Sequence, residues 1–163
     1  MILVDANLLL YAYHPESAQH AASRTWLEEA LNGAAPVRFA WVTLWAFVRI
    51  ATNPRVFAQP LTTAEASAAV TAWLGCPPVD ILEPGDRHWE ILTALLERGQ
   101  ATGPLVMDAV LAALALEHGA TLHTTDRDFA RFPDLNWTNP LEPSTGPRRS
   151  KGRGTFAKRR AKN

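Results

Sequence analysis

The stretch MDAVLAALALEHGATLHTTDRDF, residues 107–129, sets the architecture. Its first half is an Ala- and Leu-rich helix, with Pro104 near the start, where a missing N–H costs nothing, and Gly119 as the stop. Residues 121–125 then read as a short strand that runs directly into Asp126 and Asp128. A helix that turns through one glycine into a strand is half of an α/β repeat.

The repeat continues in both directions. Upstream, Ile2 to Val4 is an apolar run closed by Asp5, and Val37 to Ala40 and Val79 to Leu82 are further short strand candidates. Between them lie helical spacings: residues 18–31 with Ala22, Trp26, Leu27 and Ala30, stopped by Gly33, and a helix that Thr43 opens and Asn53-Pro54 ends. Thr62 or Thr63 caps another that runs to Trp73, and residues 87–98 form the next. Residues 136–138 supply a last short strand. Strands separated by helices of this length predict an α/β fold, a three-layer sandwich with a central parallel sheet and helices on both faces. Trp41, Trp45, Phe47, Trp73 and Trp89 fall in helical contexts, where core packing is the default for such rings. A groove for a partner helix is their other use.

With 163 residues, 47% of them hydrophobic, the chain is sized for one core. Charge divides it in two. Residues 142–163 carry eight basic residues against Glu142 alone, whereas residues 1–141 hold eight Lys and Arg against 15 Asp and Glu. A single domain over 1–141 is expected, followed by a basic tail that lacks periodic apolar positions and reads as disordered. Such a tail either holds RNA through its phosphates or is a solvated extension. No apolar run is long enough to span a bilayer and the N-terminus lacks a basic leader pattern, so a soluble cytoplasmic protein is expected. Cys76 is the lone cysteine, which leaves no internal disulfide, and it reads as core filler.

In a parallel sheet, strand ends and the helix starts that follow them share one edge. Asp5 ends the first strand, Asp108 lies in the first turns of the Pro104 helix, and Asp126 and Asp128 follow the strand at 121–125. Topology alone can gather these four acids where open α/β sheets hold ligands. Taken singly, each has a structural use as a strand end, a helix-dipole partner or a turn residue. Taken together they repel one another unless a cation sits among them. Oxygen-only donors suit Mg²⁺ or Mn²⁺ better than Zn²⁺, and such a metal promotes attack of water on a phosphodiester. His14, His20, His88, His118 and His123 are scattered without metal-ligand spacing.

Four segments in this order resemble the PIN-domain family, specifically the VapC ribonuclease toxins of VapBC toxin–antitoxin modules: VDANLLLYA around Asp5, LWAFVRIATNPRVF at 44–57, residues 107–129, and WTNPL at 137–141. The resemblance covers essentially all of residues 1–141. It implies a metal-dependent endoribonuclease in which Asp5, Asp108 and Asp126 bind the metal, Asp128 is an additional or alternative ligand, and Asn7 and Thr124 are polar supports. It also implies an RNA substrate (tRNA, rRNA or mRNA), a VapB-like antitoxin and a homodimer.

One position departs from the family pattern. Where relatives carry Glu, this chain has Ala46, expected on the first turn of the helix that Thr43 opens. The missing carboxylate implies a weakened or inactive enzyme, whether Ala46 is an engineered change that silences a toxin or a natural mark of a degenerate member. Thr43-x-x-Glu would also be a capping box, in which case its loss costs only about 1 kcal/mol of stability. Arg49 reads either as a contact for RNA phosphate or a site aspartate, or as a surface arginine. The competing readings are a non-catalytic PIN module that binds antitoxin or RNA, and a haloacid dehalogenase-like phosphatase. The phosphatase matches poorly, because Asn7 stands where its pattern has a second Asp.

Overall fold

The computed structural model describes residues 1–142, so the expected tail of 142–163 lies outside the described residues from position 143 onward. In chain order the elements are β1 (Ile2–Val4), α1 (Ala6–Tyr13), α2 (His20–Asn32), β2 (Val37–Ala40), α3 (Trp41–Ala51) and α4 (Thr63–Leu74). Then come β3 (Val79–Leu82), α5 (His88–Arg98), α6 (Leu105–His118), β4 (Thr121–His123), a 3-10 turn (Arg127–Arg131) and β5 (Trp137–Thr138). The five strands form one parallel sheet in the order β3-β2-β1-β4-β5. The chain builds outward from β1 to β3, and α5 and α6 then carry it back to β4 on the other side of β1. The carboxyl ends of β1 and β4 therefore flank the point where strand order reverses, where a crevice opens in sheets of this kind.

Both faces of the sheet are covered. Leu3, Val4, Val37, Phe39 and Leu122 are fully buried, which is why these strands are continuous apolar runs rather than alternating ones. One core packs Leu8, Leu9, Phe47 and Trp73, with the Phe47 and Trp73 rings edge to face at 4.8 Å. The other packs Leu92, Leu95, Phe129 and Phe132 against α6. Helix α6 is apolar nearly all round because it is buried nearly all round, from Ala109 through Leu111 to Ala115. It ends at Gly119, whose φ of +63° is a left-handed conformation that glycine adopts without strain. No helix among the described residues is long and apolar enough to cross a membrane.

The structure corrects several expectations. The sequence spacing marks no distinct helix before residue 18, yet α1 starts immediately after Asp5, whose side chain caps it by accepting from Ala6 N–H. Strand β4 stops at His123 rather than at residue 125. Core packing holds for Phe47 and Trp73 but not for Trp41, Trp45 and Trp89, which are 41%, 66% and 71% exposed. Cys76 is only partly buried, its Sγ lying 3.4 Å from the carbonyl oxygen of Ala72 just past the end of α4. Elsewhere punctuation reads true: Thr62 and Glu65 form a reciprocal capping box at the start of α4.

Candidate active site at the carboxyl edge

Thr124 is the hub of the reversal point. It follows β4 directly, is fully buried, and its backbone N–H donates to Thr138 O at 3.0 Å. Its hydroxyl donates to Asp5 Oδ2 at 2.7 Å and accepts from Asn7 Nδ2 at 3.0 Å and from Asp126 N–H at 2.9 Å. One hydroxyl offers one donor and two acceptor sites, so its capacity is fully used. Asp5 in turn spends Oδ1 on Ala6 N–H at 2.7 Å, and Asp126 accepts from Asp128 N–H at 2.8 Å.

The electrostatics tie Asp108 to this network. Burial pushes the Asp5 carboxyl up to about 6, against the opposing hydrogen bonds from Thr124 and Ala6, and the charges of Asp108 and Asp126 push it the same way. Asp108, on the first turn of α6, is also raised, by burial and then by Asp126 and Asp128, with Arg131 pulling it back. A carboxylate at a helix N-terminus is normally favoured, so an upward shift there shows that repulsion and desolvation win. Asp128 is exposed and lies 3.6 Å from Arg131. The structure thus brings all four aspartates into one electrostatic neighbourhood, although among the described residues no three His, Cys, Asp or Glu side chains close into a set that could hold a metal ion. The chemistry of the donors nevertheless fits a hard divalent cation. Mutually repelling carboxylates surround the crevice, and Asn7 Oδ1 is buried without a hydrogen-bond partner. His123, next to Thr124, stacks on Trp26 at 5.6 Å, and burial lowers its pKa to about 4, so it adds no charge.

Position 46 sits differently from the expectation. Helix α3 starts at Trp41, after Ala40 with no side-chain cap, so Ala46 is on the second turn and not the first. Thr43 is no cap either; it is buried, and its hydroxyl donates to Val4 O at 3.2 Å, stitching α3 to the end of β1 beside Asp5. A Glu at 46 would therefore have no capping role, which removes the structural reading of the Thr43-x-x-Glu pattern. Val42, four residues earlier on the same helix face, packs against the core that contains α6. Arg49 is exposed and, among the described residues, makes no ion pair with a site aspartate.

Residues 2–135 match the PIN domain family, so the class of the protein is defined across β1 to β4 and all six helices. The chain is 44% identical over 141 residues to Ribonuclease VapC33 of Mycobacterium tuberculosis, covering 86% of this chain and 99% of that protein. It is 45% identical over 140 residues to Ribonuclease VapC37 of the same organism, covering 86% and 97%. In fold it resembles VapBC2 from Rickettsia felis, solved bound to a DNA fragment from its promoter, with a TM-score of 0.60 at 19% identity over 85% of this chain and 98% of that one. The chain belongs to the PIN-domain family as a VapC-type ribonuclease toxin of a toxin–antitoxin system. The phosphatase reading is thereby set aside.

Proposed function

We propose that this chain is a VapC endoribonuclease whose carboxyl edge takes Mg²⁺ or Mn²⁺ through Asp5, Asp108 and Asp126, with Asp128 as a further ligand, and whose cleavage is weakened or abolished by Ala46. The observation that carries the reading is the shared field of Asp5, Asp108 and Asp126 at the strand-order reversal, which makes the site costly without a cation. A divalent cation bound there supplies Lewis acidity and offsets charge on the phosphate as water adds across a P–O bond of RNA. The chain's own residues do the positioning. Thr124 fixes Asp5, Asp126 and the Asn7 amide in one arrangement, and the N-terminus of α6 holds Asp108 against them.

Position 46 supports the lowered activity, since it lies on the helix stitched to Val4 and offers only a methyl group where relatives are expected to place an acid. The same residue favours a second reading, a PIN module that binds antitoxin or RNA without cutting it. A VapB-like antitoxin is the expected partner, and an apolar groove of about 380 Å³ between α2 and α4, lined by Tyr13, Leu27, Leu31 and Trp73, has the character of a seat for a partner helix. Self-association into a homodimer completes the proposal. Titrating Mn²⁺ into the chain and into its Asp108→Asn variant tests the cation site: binding that weakens at least tenfold in the variant is expected, and equal binding would refute the ligand assignment.

A further inference from the structure

The chain leaves the described fold beside the candidate site. Strand β5 runs parallel to β4, and Thr124 N–H donates to Thr138 O, so the carboxyl end of β5 lies on the same edge as Asp5, Asp126 and Asp128. The turn that follows is fastened there. Leu141 N–H donates to Asn139 Oδ1 at 3.0 Å, and Glu142 N–H donates to Asn139 O at 3.3 Å. Arg127, which stands between Asp126 and Asp128 in the chain, donates to Glu142 Oε1 at 3.3 Å. Both partners are exposed, so this ion pair adds little to stability, and the pairing of β5 with β4 is what sets the position. Everything from residue 143 onward therefore starts at the rim of the aspartate cluster.

What starts there is basic. Residues 143–163 hold eight Lys and Arg and no Asp or Glu, in two groups at 148–153 and 158–162. Phe156 lies between the groups and offers a ring face on which a base can stack. Residues 1–141 instead hold eight Lys and Arg against 15 Asp and Glu, so an RNA strand drawn to the aspartate edge meets a fold of its own sign. Binding of nucleic acid draws on Lys and Arg that neutralise phosphates, and this chain concentrates them in one place. Reach is sufficient. Arg148 is six residues beyond Glu142 and so lies within about 20 Å of it by any path the chain can take. The acids of the fold are the rival partner for this charge. Their excess is dispersed over the whole surface, whereas an RNA strand carries one charge on every nucleotide, so charge density favours RNA.

We propose that residues 143–163 are an RNA-holding arm, which binds the phosphates of a single strand and keeps that strand at the aspartate edge. The proposal rests on the RNA substrate proposed above and adds a binding element outside the matched family domain, residues 2–135. Phosphate contacts carry no choice of sequence, so the arm raises affinity for every single strand alike. Fluorescence anisotropy of a labelled single-stranded RNA across a salt series tests it, with a chelator present so that the RNA stays intact. The full chain is compared with a full-length variant that combines Arg148→Gln/Arg149→Gln/Lys151→Gln/Arg153→Gln with Lys158→Gln/Arg159→Gln/Arg160→Gln/Lys162→Gln. The variant should bind at least a hundredfold more weakly at about 0.1 M salt, and its slope of log affinity against log salt should be shallower by about 4–6, at about 0.7 for each lost phosphate contact. Equal affinity and slope overturn the arm and leave RNA binding by the fold standing. Tighter binding by the variant also overturns it, since the basic residues then cover the chain's own acids. No RNA binding by either protein overturns both the arm and RNA as the substrate. A chain ended after Glu142, which keeps every described element, gives the same readout should the full-length variant fail to fold.

Discussion

Two regions joined by the Thr43–Val4 hydrogen bond are built in opposite ways. Around Thr124, most polar atoms are committed: the hydroxyl is saturated and both Asp5 oxygens are taken, while Asn7 Oδ1 and His123 Nδ1 are buried without a hydrogen-bond partner. Along the outer turns of α3, Ala46 offers no polar group, two indoles lie open to water and Arg49 is exposed. The difference separates two jobs. The first region fixes charge at a cost in stability, and the second is the one in which the proposed effect of Ala46 on activity is separable from the fold.

Substitutions in the two regions put this division to the test. The largest expected effect is in activity. With the acid restored by Ala46→Glu, adding Asp108→Asn should cut RNA cleavage at least a hundredfold, about 3 kcal/mol in barrier, measured as initial rates on a single-stranded substrate. Next is Thr124→Val, which removes the donor to Asp5 and both acceptor contacts in one step and should cost about 2–3 kcal/mol in urea unfolding.

Asp5 supplies a prediction in pH. The folded carboxyl titrates at about 6 and its ordinary value is 3.8, so between these the native state binds more protons than the unfolded chain. Stability from this group is therefore present at low pH and is lost as pH rises through about 6. In metal-free buffer the urea-unfolding free energy of the chain should therefore fall as pH rises from about 4 to about 7, and Asp5→Asn, which cannot titrate, should flatten that slope. Asp108, raised by burial and then by Asp126 and Asp128, adds to the slope with the same sign. The smallest effect belongs to the open flank: Trp45→Ala should shift the stability of the dilute monomer by less than about 0.5 kcal/mol, whereas Trp73→Ala, in the core, should cost about 3–5 kcal/mol.

Legibility in the sequence divides along the same line. The strands and the α6 helix could be read because Pro104, Gly119 and the apolar runs punctuate them, and the edge that carries Asp5, Asp108 and Asp126 is a consequence of parallel topology. Thr43 misled because it has the chemistry of a cap while its hydroxyl is spent on a tertiary bond to Val4 O, and α3 starts two residues earlier without any side-chain cap. Spacing places Trp41 and Trp45 on one stripe, but a period cannot say which stripe faces the core; Phe47 and Trp73 take that place, and the other rings are left outside. The saturation of Thr124 depends on residues more than a hundred positions apart, so no local pattern announces it.

Position 46 is where the proposed chemistry is most exposed to refutation. Rates of single-stranded RNA cleavage should be measured for the chain and for Ala46→Glu at equal Mn²⁺, each with a chelator control. At least a hundredfold faster, chelator-sensitive cleavage by the Glu form is the predicted result, and equal rates for the two forms would contradict it.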